Sequence, residues 1–298
     1  MNRRAFQFFA CLTWMTLPLV ALRYWQVWAQ LPLRMATHFG VNGQPNGWMS
    51  RDVALCYSLG IPAILLAVFT GILLAYYSAH PPDATSWAVL AFFYFVLGFV
   101  MFANYKVLDY NLMAKPVELG PSLLLVPLAV VILLAVFLRA GRGQPLATAH
   151  WLAQETHASP LFGMLFLLPL FVEFRLLFVV PSASVRVSLA LMCLLFLAIA
   201  VFAWSGFRYY FGPHGVEVRA LGYRLRSIAA GDITSYDIQP WNLLRGYGIR
   251  GIGGTRAYVW CNRVVHIRTP QGEVFLGHRH PERIIHDLDL VIQANRRP

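Results

Sequence analysis

The side chains able to do chemistry in this sequence gather in three places. The first is His38, set between Thr37 and Phe39 and followed by Asn42, Asn46 and Trp48. One titratable imidazole among amides and aromatic rings suits recognition of a peptide or another polar ligand by hydrogen bonding and stacking. The second is Glu173 and Arg175 in the otherwise apolar run LFGMLFLLPLFVEFRLLFVV. The third is Trp241, Arg245, Tyr247 and Arg250, a basic aromatic group near the carboxy end, with His278 and His280 further on.

Catalytic signatures are absent: there is no HExxH, no GxSxG and no Walker lysine. Gly246-Tyr247-Gly248-Ile249-Arg250-Gly251 satisfies the G-x-G-x-x-G spacing, but that fingerprint needs a strand before it and a helix directly after. Glycines and a strand-like run follow instead, so a loop is expected. The cysteines Cys11, Cys56, Cys193 and Cys261 fall singly and imply neither disulfide nor zinc. His278 and His280 would share one face of a strand, a spacing a metal can use, yet no carboxylate or cysteine is fixed beside them. No metal or cofactor is expected.

The elements that must position these residues are mostly membrane helices. Hydrophobic residues make up 58% of the chain and charged residues 12%, far from the composition of soluble domains. Apolar runs long enough to cross a bilayer are Ala5–Leu22, Val53–Tyr77, Trp87–Tyr105, Pro121–Leu138, Pro160–Val180 and Val187–Phe207. The first reads as a retained helix, because it is longer than a signal-peptide core and Arg23, Tyr24 and Trp25 sit badly before a cleavage site. Arg208, Arg219, Arg224 and Arg226 after the last run favour a cytoplasmic carboxy end. Six spans then put the amino end in the cytoplasm of a bacterial inner membrane and the loop Leu31–Asp52 outside.

That loop carries Leu31-Pro32, Thr37-His38-Phe39-Gly40, Gly43, Gly47-Trp48 and Arg51. The pattern, over roughly Leu12–Leu74, resembles the bacterial SdpI family, named after a toxin-immunity and signalling membrane protein. It departs in having Met35-Ala36 where many members have a proline before the Thr-His pair, and Arg51 in place of lysine. The resemblance implies a helix-loop-helix unit over residues 1–77 and a role of receptor or immunity type. Two Asn-Gly pairs, Asn42-Gly43 and Asn46-Gly47, predict repeated turns, so the loop is expected to be a folded cap.

Residues 78–210 would hold four further spans and 211–298 a cytoplasmic domain. Glu173 and Arg175 stand two apart, so they do not face each other; Arg23, Asn104, Lys106 and Asp109 are their candidate partners. His150 and His157, flanking Trp151, suggest an amphipathic surface helix within Arg139–Ser159. After Phe211 short alternating runs predict strands at Val216–Leu221, Leu225–Ile228, Ile233–Ile238, Ala257–Trp260, Val264–Arg268 and Val274–His278, closed by one helix from Pro281. This order resembles the pleckstrin-homology-like modules of bacterial membrane proteins.

The expected fold is therefore an α-helical polytopic membrane protein with a small, mainly-β carboxy-terminal domain closed by one α-helix. The expected function is non-enzymatic: His38, Phe39, Asn42, Asn46 and Trp48 would bind a peptide or envelope ligand outside. Trp241, Arg245, Tyr247 and Arg250 would meet lipid or a protein partner inside. Nucleic acid is not expected, because the arginines are dispersed and anionic lipid is the nearer acidic partner. A transporter with a polar path at Glu173 and Arg175, and a membrane assembly scaffold, are the alternatives.

Overall fold

The structure, a computed structural model, describes residues 3–40, 43–77, 82–117, 120–139, 145–146, 150–251 and 254–296. Among these, six helical spans are long and apolar enough to cross a membrane, the length and composition of a multi-pass membrane protein. The contacts divide it into two compact units, residues 1–134 with 173–192 and residues 135–172 with 193–298.

In the first unit, α1 (Arg3–Leu12) and α2 (Thr16–Val27) form one span with the short turns around them. A hairpin of β1 (Arg34–Phe39) and β2 (Pro45–Ser50) follows, then α3 (Arg51–Tyr77) and α4 (Ala84–Met113). Asp83 and Ser86 form a reciprocal capping box at the start of α4. Tyr24 and Ser58 share a buried hydrogen bond of 2.7 Å between α2 and α3, and Phe69 stacks on Phe93 between α3 and α4. The sequence ends the third span at Tyr105, where Lys106 and Asp109 interrupt the apolar run. The helix instead continues to Met113, because these groups can leave the hydrocarbon without breaking the backbone ladder.

Three further helices are α5 (Leu125–Arg139), α6 (Pro160–Val179) and α7 (Ala183–Ser205). Their second-unit portions carry a sheet-rich region. Strand β3 (Ala153–His157) lies where an amphipathic surface helix was expected; its burial alternates with a period of two and it pairs with β4 (Phe207–Gly212). Gly141 to Gly143, in the same connection, lie outside the described residues. Strand β4 begins just inside what the sequence assigned to the last span, after Gly206 turns the chain at φ +66°, where a Cβ would meet Ala158.

β5 (Gly215–Ala220) and β6 (Tyr223–Ala229) complete a four-stranded sheet in the order β3-β4-β5-β6. The remaining strands are β7 (Ser235–Pro240), β8 (Gly248–Arg250), β9 (Arg256–Val259), β10 (Arg263–Thr269) and β11 (Gly272–Gly277). They form a second sheet in the order β7-β10-β11-β9-β8, with β11 and β9 parallel. The closing helix α8 (Pro281–Asn295) buries Ile284, Leu288 and Val291 completely, as its apolar stripe predicts.

The two sheets share a core that includes Phe207, Tyr209, Val218, Tyr258 and Leu276. The Tyr209 hydroxyl lies 2.9 Å from both the Tyr258 and Gly277 carbonyls, so one buried O–H on the first sheet serves two strands of the second. Tyr209→Phe leaves both carbonyls without that donor. The expected loss is about 1–3 kcal/mol, the ordinary cost of an unmet buried polar group. It would be read as a lower urea midpoint for the extramembrane region at unchanged slope; an unchanged midpoint would show that water replaces the hydroxyl.

Candidate functional site

The loop between α2 and α3 is a docked hairpin. β1 and β2 pair antiparallel from Arg34 opposite Ser50 to Phe39 opposite Pro45, with bulges around His38. The single reversal lies between Phe39 and Pro45, closed by the Gly40 N–H donating to the Gln44 carbonyl at 2.8 Å. Asn46-Gly47 is thus inside β2 and not a second turn. The reason is steric: a Cβ on Gly47 would approach the His38 Cβ to 2.9 Å, so the glycine makes room for the imidazole across the ladder.

One edge of β1 pairs with β2; the other is covered by a side chain. The Asn111 carboxamide of α4 accepts from the Ala36 N–H and donates to the Ala36 carbonyl, both at 2.8 Å, and also donates to the Val107 carbonyl. It supplies one residue's worth of strand to an edge that would otherwise hold unpaired groups. Met35 is fully buried against Tyr24, Val27 and Leu108, while the Arg51 guanidinium lies 4.2 Å over the Trp28 ring and donates to the Trp28 carbonyl. Asn111 is the residue holding the hairpin that sequence reading missed. Its only signal was an amide just beyond a span, with a partner 75 positions away.

The expected ligand residues separate. His38, Asn46 and Trp48 are exposed, with the His38 Nδ1 3.2 Å from the Thr37 hydroxyl. Phe39 is half-buried and packs edge-on to Tyr110 of α4, ring centres 5.0 Å apart, so it serves docking. Asn42 lies outside the described residues. Of the intramembrane pair, Arg175 is exposed on α6 and Glu173 is half-buried with one carboxylate oxygen lacking a hydrogen-bond partner; they form no ion pair with each other. Arg23 and Asp109 instead approach one another, at 4.0 Å.

In the second unit, the expected exposed group around Trp241 is corrected. Trp241 is buried against Phe275 and its indole N–H donates to the Gly246 carbonyl at 2.8 Å. Tyr247 is half-buried against Phe162 of α6, whereas Arg245 and Arg250 are exposed. The aromatics went inward because each found a ring to pack on, and the Trp241 indole N–H also found a carbonyl. What the loop exposes are Leu243 and Leu244. Gly248–Arg250 is strand β8 and the next described element is strand β9, so the glycine spacing is not a dinucleotide site.

A cleft of about 550 Å³ lined by Glu155, His157, His278, Arg279, His280 and Arg283 is a second polar cluster. Glu155, buried on β3, lies 3.4 Å from the His278 Nε2 and 2.8 Å from Arg283. Strand β11 ends at Gly277, so His278 and His280 do not share a strand face; the His278 Nδ1 sits 2.9 Å from the His280 carbonyl. Among the described residues no three metal-ligating side chains converge. The His157 Nε2 accepts the Trp260 backbone N–H at 2.9 Å, which requires a neutral ring. Burial, then the neighbouring His278 and Arg279, pushes its pKa down to about 3. These contacts join β3 to β9 and to the start of α8.

Residues 15–66 match the family model described as Domain of unknown function (DUF1648), which covers α2, the hairpin and the first part of α3. No curated protein and no solved structure matches the chain. The chain thus carries, within its first unit, a hairpin-bearing domain of unknown function.

Proposed function

We propose that the chain is a non-enzymatic membrane protein of receptor or immunity type, whose hairpin faces the outside and holds a peptide or another envelope ligand. The observation that carries this reading is the contrast within one element. Its backbone is clamped by Asn111 while His38, Asn46 and Trp48 stand exposed. A surface fixed in advance loses little freedom on binding, which is how rigid recognition elements gain affinity. The sheet-rich region, a pleckstrin-homology-like module on the cytoplasmic side of an inner membrane, holds lipid or a soluble partner.

Photo-crosslinking in intact cells tests the hairpin. A photoreactive residue replacing Trp48 is expected to capture a discrete peptide or envelope component, and Asn111→Leu in the same chain is expected to reduce that capture. No adduct at Trp48, with the protein correctly inserted, would remove the receptor reading. The unpartnered carboxylate oxygen of Glu173 favours a transporter as the second reading, in which Glu173→Gln abolishes activity and the hairpin tolerates change.

A further inference from the structure

Membrane-helix ends in the second unit mark which side of the sheet-rich region faces the bilayer. Phe162, in the first turn of α6, packs on Tyr247 and Trp260; Phe202, near the end of α7, packs on Trp260; the Arg256 guanidinium lies 4.5 Å from the ring of Phe137 in the last turns of α5. Tyr247, Arg256 and Trp260 therefore mark the bilayer-facing edge of this region. Just before Tyr247, on a short turn spanning Leu243–Arg245, Leu243 is 70% exposed and Leu244 96% exposed. Asn242 caps this turn by accepting the Arg245 N–H, and Trp241 anchors it through Gly246, so the leucines are held outward by an ordered loop.

A second apolar turn lies at the same edge. Arg208 follows directly on Phe207 where α7 gives way to β4, and it pairs across the sheet with Arg219, so the β5–β6 turn comes back to the end of α7. That turn exposes Leu221 by 52% and Tyr223 by 68%. Exposed arginines flank both places, Arg245 and Arg250 at the first and Arg208 at the second. Apolar side chains among arginines, at the level where helices leave a bilayer, match an anionic lipid surface in both layers: hydrocarbon for the leucines, headgroups for the guanidinium groups.

The geometry points to a two-point lipid dock, in which Leu243-Leu244 and Leu221-Tyr223 dip into the leaflet adjoining this region while Arg245, Arg250 and Arg208 meet anionic headgroups. It rests on the reading that this region works at the membrane surface and is independent of the hairpin. Water could not leave Leu244 almost wholly exposed without cost, whereas the bilayer beside it removes that cost.

The test uses the full chain in phosphatidylcholine vesicles with and without phosphatidylglycerol, carrying benzoylphenylalanine in place of Leu244, of Tyr223, or of Gln293 on the exposed face of α8. Irradiation is expected to give lipid adducts at the first two positions several-fold above Gln293, rising with the phosphatidylglycerol fraction. Yields no higher than at Gln293 overturn the dock, and independence from phosphatidylglycerol overturns the part given to the arginines. The same substitutions in cells separate the sources. A protein adduct at Leu244 in place of lipid overturns the lipid assignment while leaving a partner-binding role for the region intact.

Discussion

Asn111→Leu is expected to release the hairpin from the helices while α4 itself stays folded. Leucine is close in size to asparagine and a better helix former, so the helix loses nothing intrinsic. The hairpin loses both partners of Ala36, whose N–H and carbonyl face the amide at 2.8 Å on a residue that is itself buried. An unmet buried polar group costs about 1–3 kcal/mol, so local opening should become easier by roughly 2–4 kcal/mol. Amide hydrogen exchange across Arg34–Phe39 would then accelerate roughly 30- to 1,000-fold, at 1.4 kcal/mol per decade. Exchange in the first half of α4 should not move. Asn111→Asp is the informative companion, since it keeps an acceptor for the Ala36 N–H and removes only the donor, and it should fall between the two. Unchanged protection in β1 would mean that Met35 and the Phe39–Tyr110 contact hold the hairpin without the clamp, and preorganisation by Asn111 would have to be given up.

That clamp shows where the sequence was legible and where it was not. The six spans could be read because a bilayer demands about 20 apolar residues, and length alone carries the signal. Most strands of the second unit could be read because alternation is local, and α8 because Pro281 and the Ile284, Leu288, Val291 stripe are local too. The misses are pairings made elsewhere. β3 reads as Ala-Gln-Glu-Thr-His, which becomes a strand only because β4 lies beside it. Trp241 is buried by Phe275 from another strand, and Gly47 is fixed by His38 across the ladder, so the second Asn-Gly never turns. In the candidate site, exposure of His38, Asn46 and Trp48 followed from the polar loop, whereas Asn111 depended on a contact no local pattern encodes.

Acidification should loosen the junction of β3 and β9 through His157. Folded, this ring stays neutral down to about pH 3, because it is buried, close to His278 and Arg279, and must accept the Trp260 N–H. Unfolded, it takes a proton near 6.5. Between those values the unfolded state binds one more proton, so stability falls as pH drops, by about 1.4 kcal/mol per unit. Above 6.5 both states are neutral and the full stability is present; below 3 both are charged and the loss levels off. Asp287 works in the opposite direction. Its pKa is raised, first by burial and then by the Glu155 charge, so its protonation in the folded state offsets part of the loss at the acidic end. His157→Gln separates the two, since the amide oxygen can accept from Trp260 and does not titrate. Urea unfolding of the full chain in micelles, followed by tryptophan fluorescence from pH 7 to 4, should show a steep fall for the native protein and a shallow one for the variant. Equal slopes would mean that His157 takes up its proton without breaking the Trp260 contact, and the neutral-ring account of this junction would be wrong.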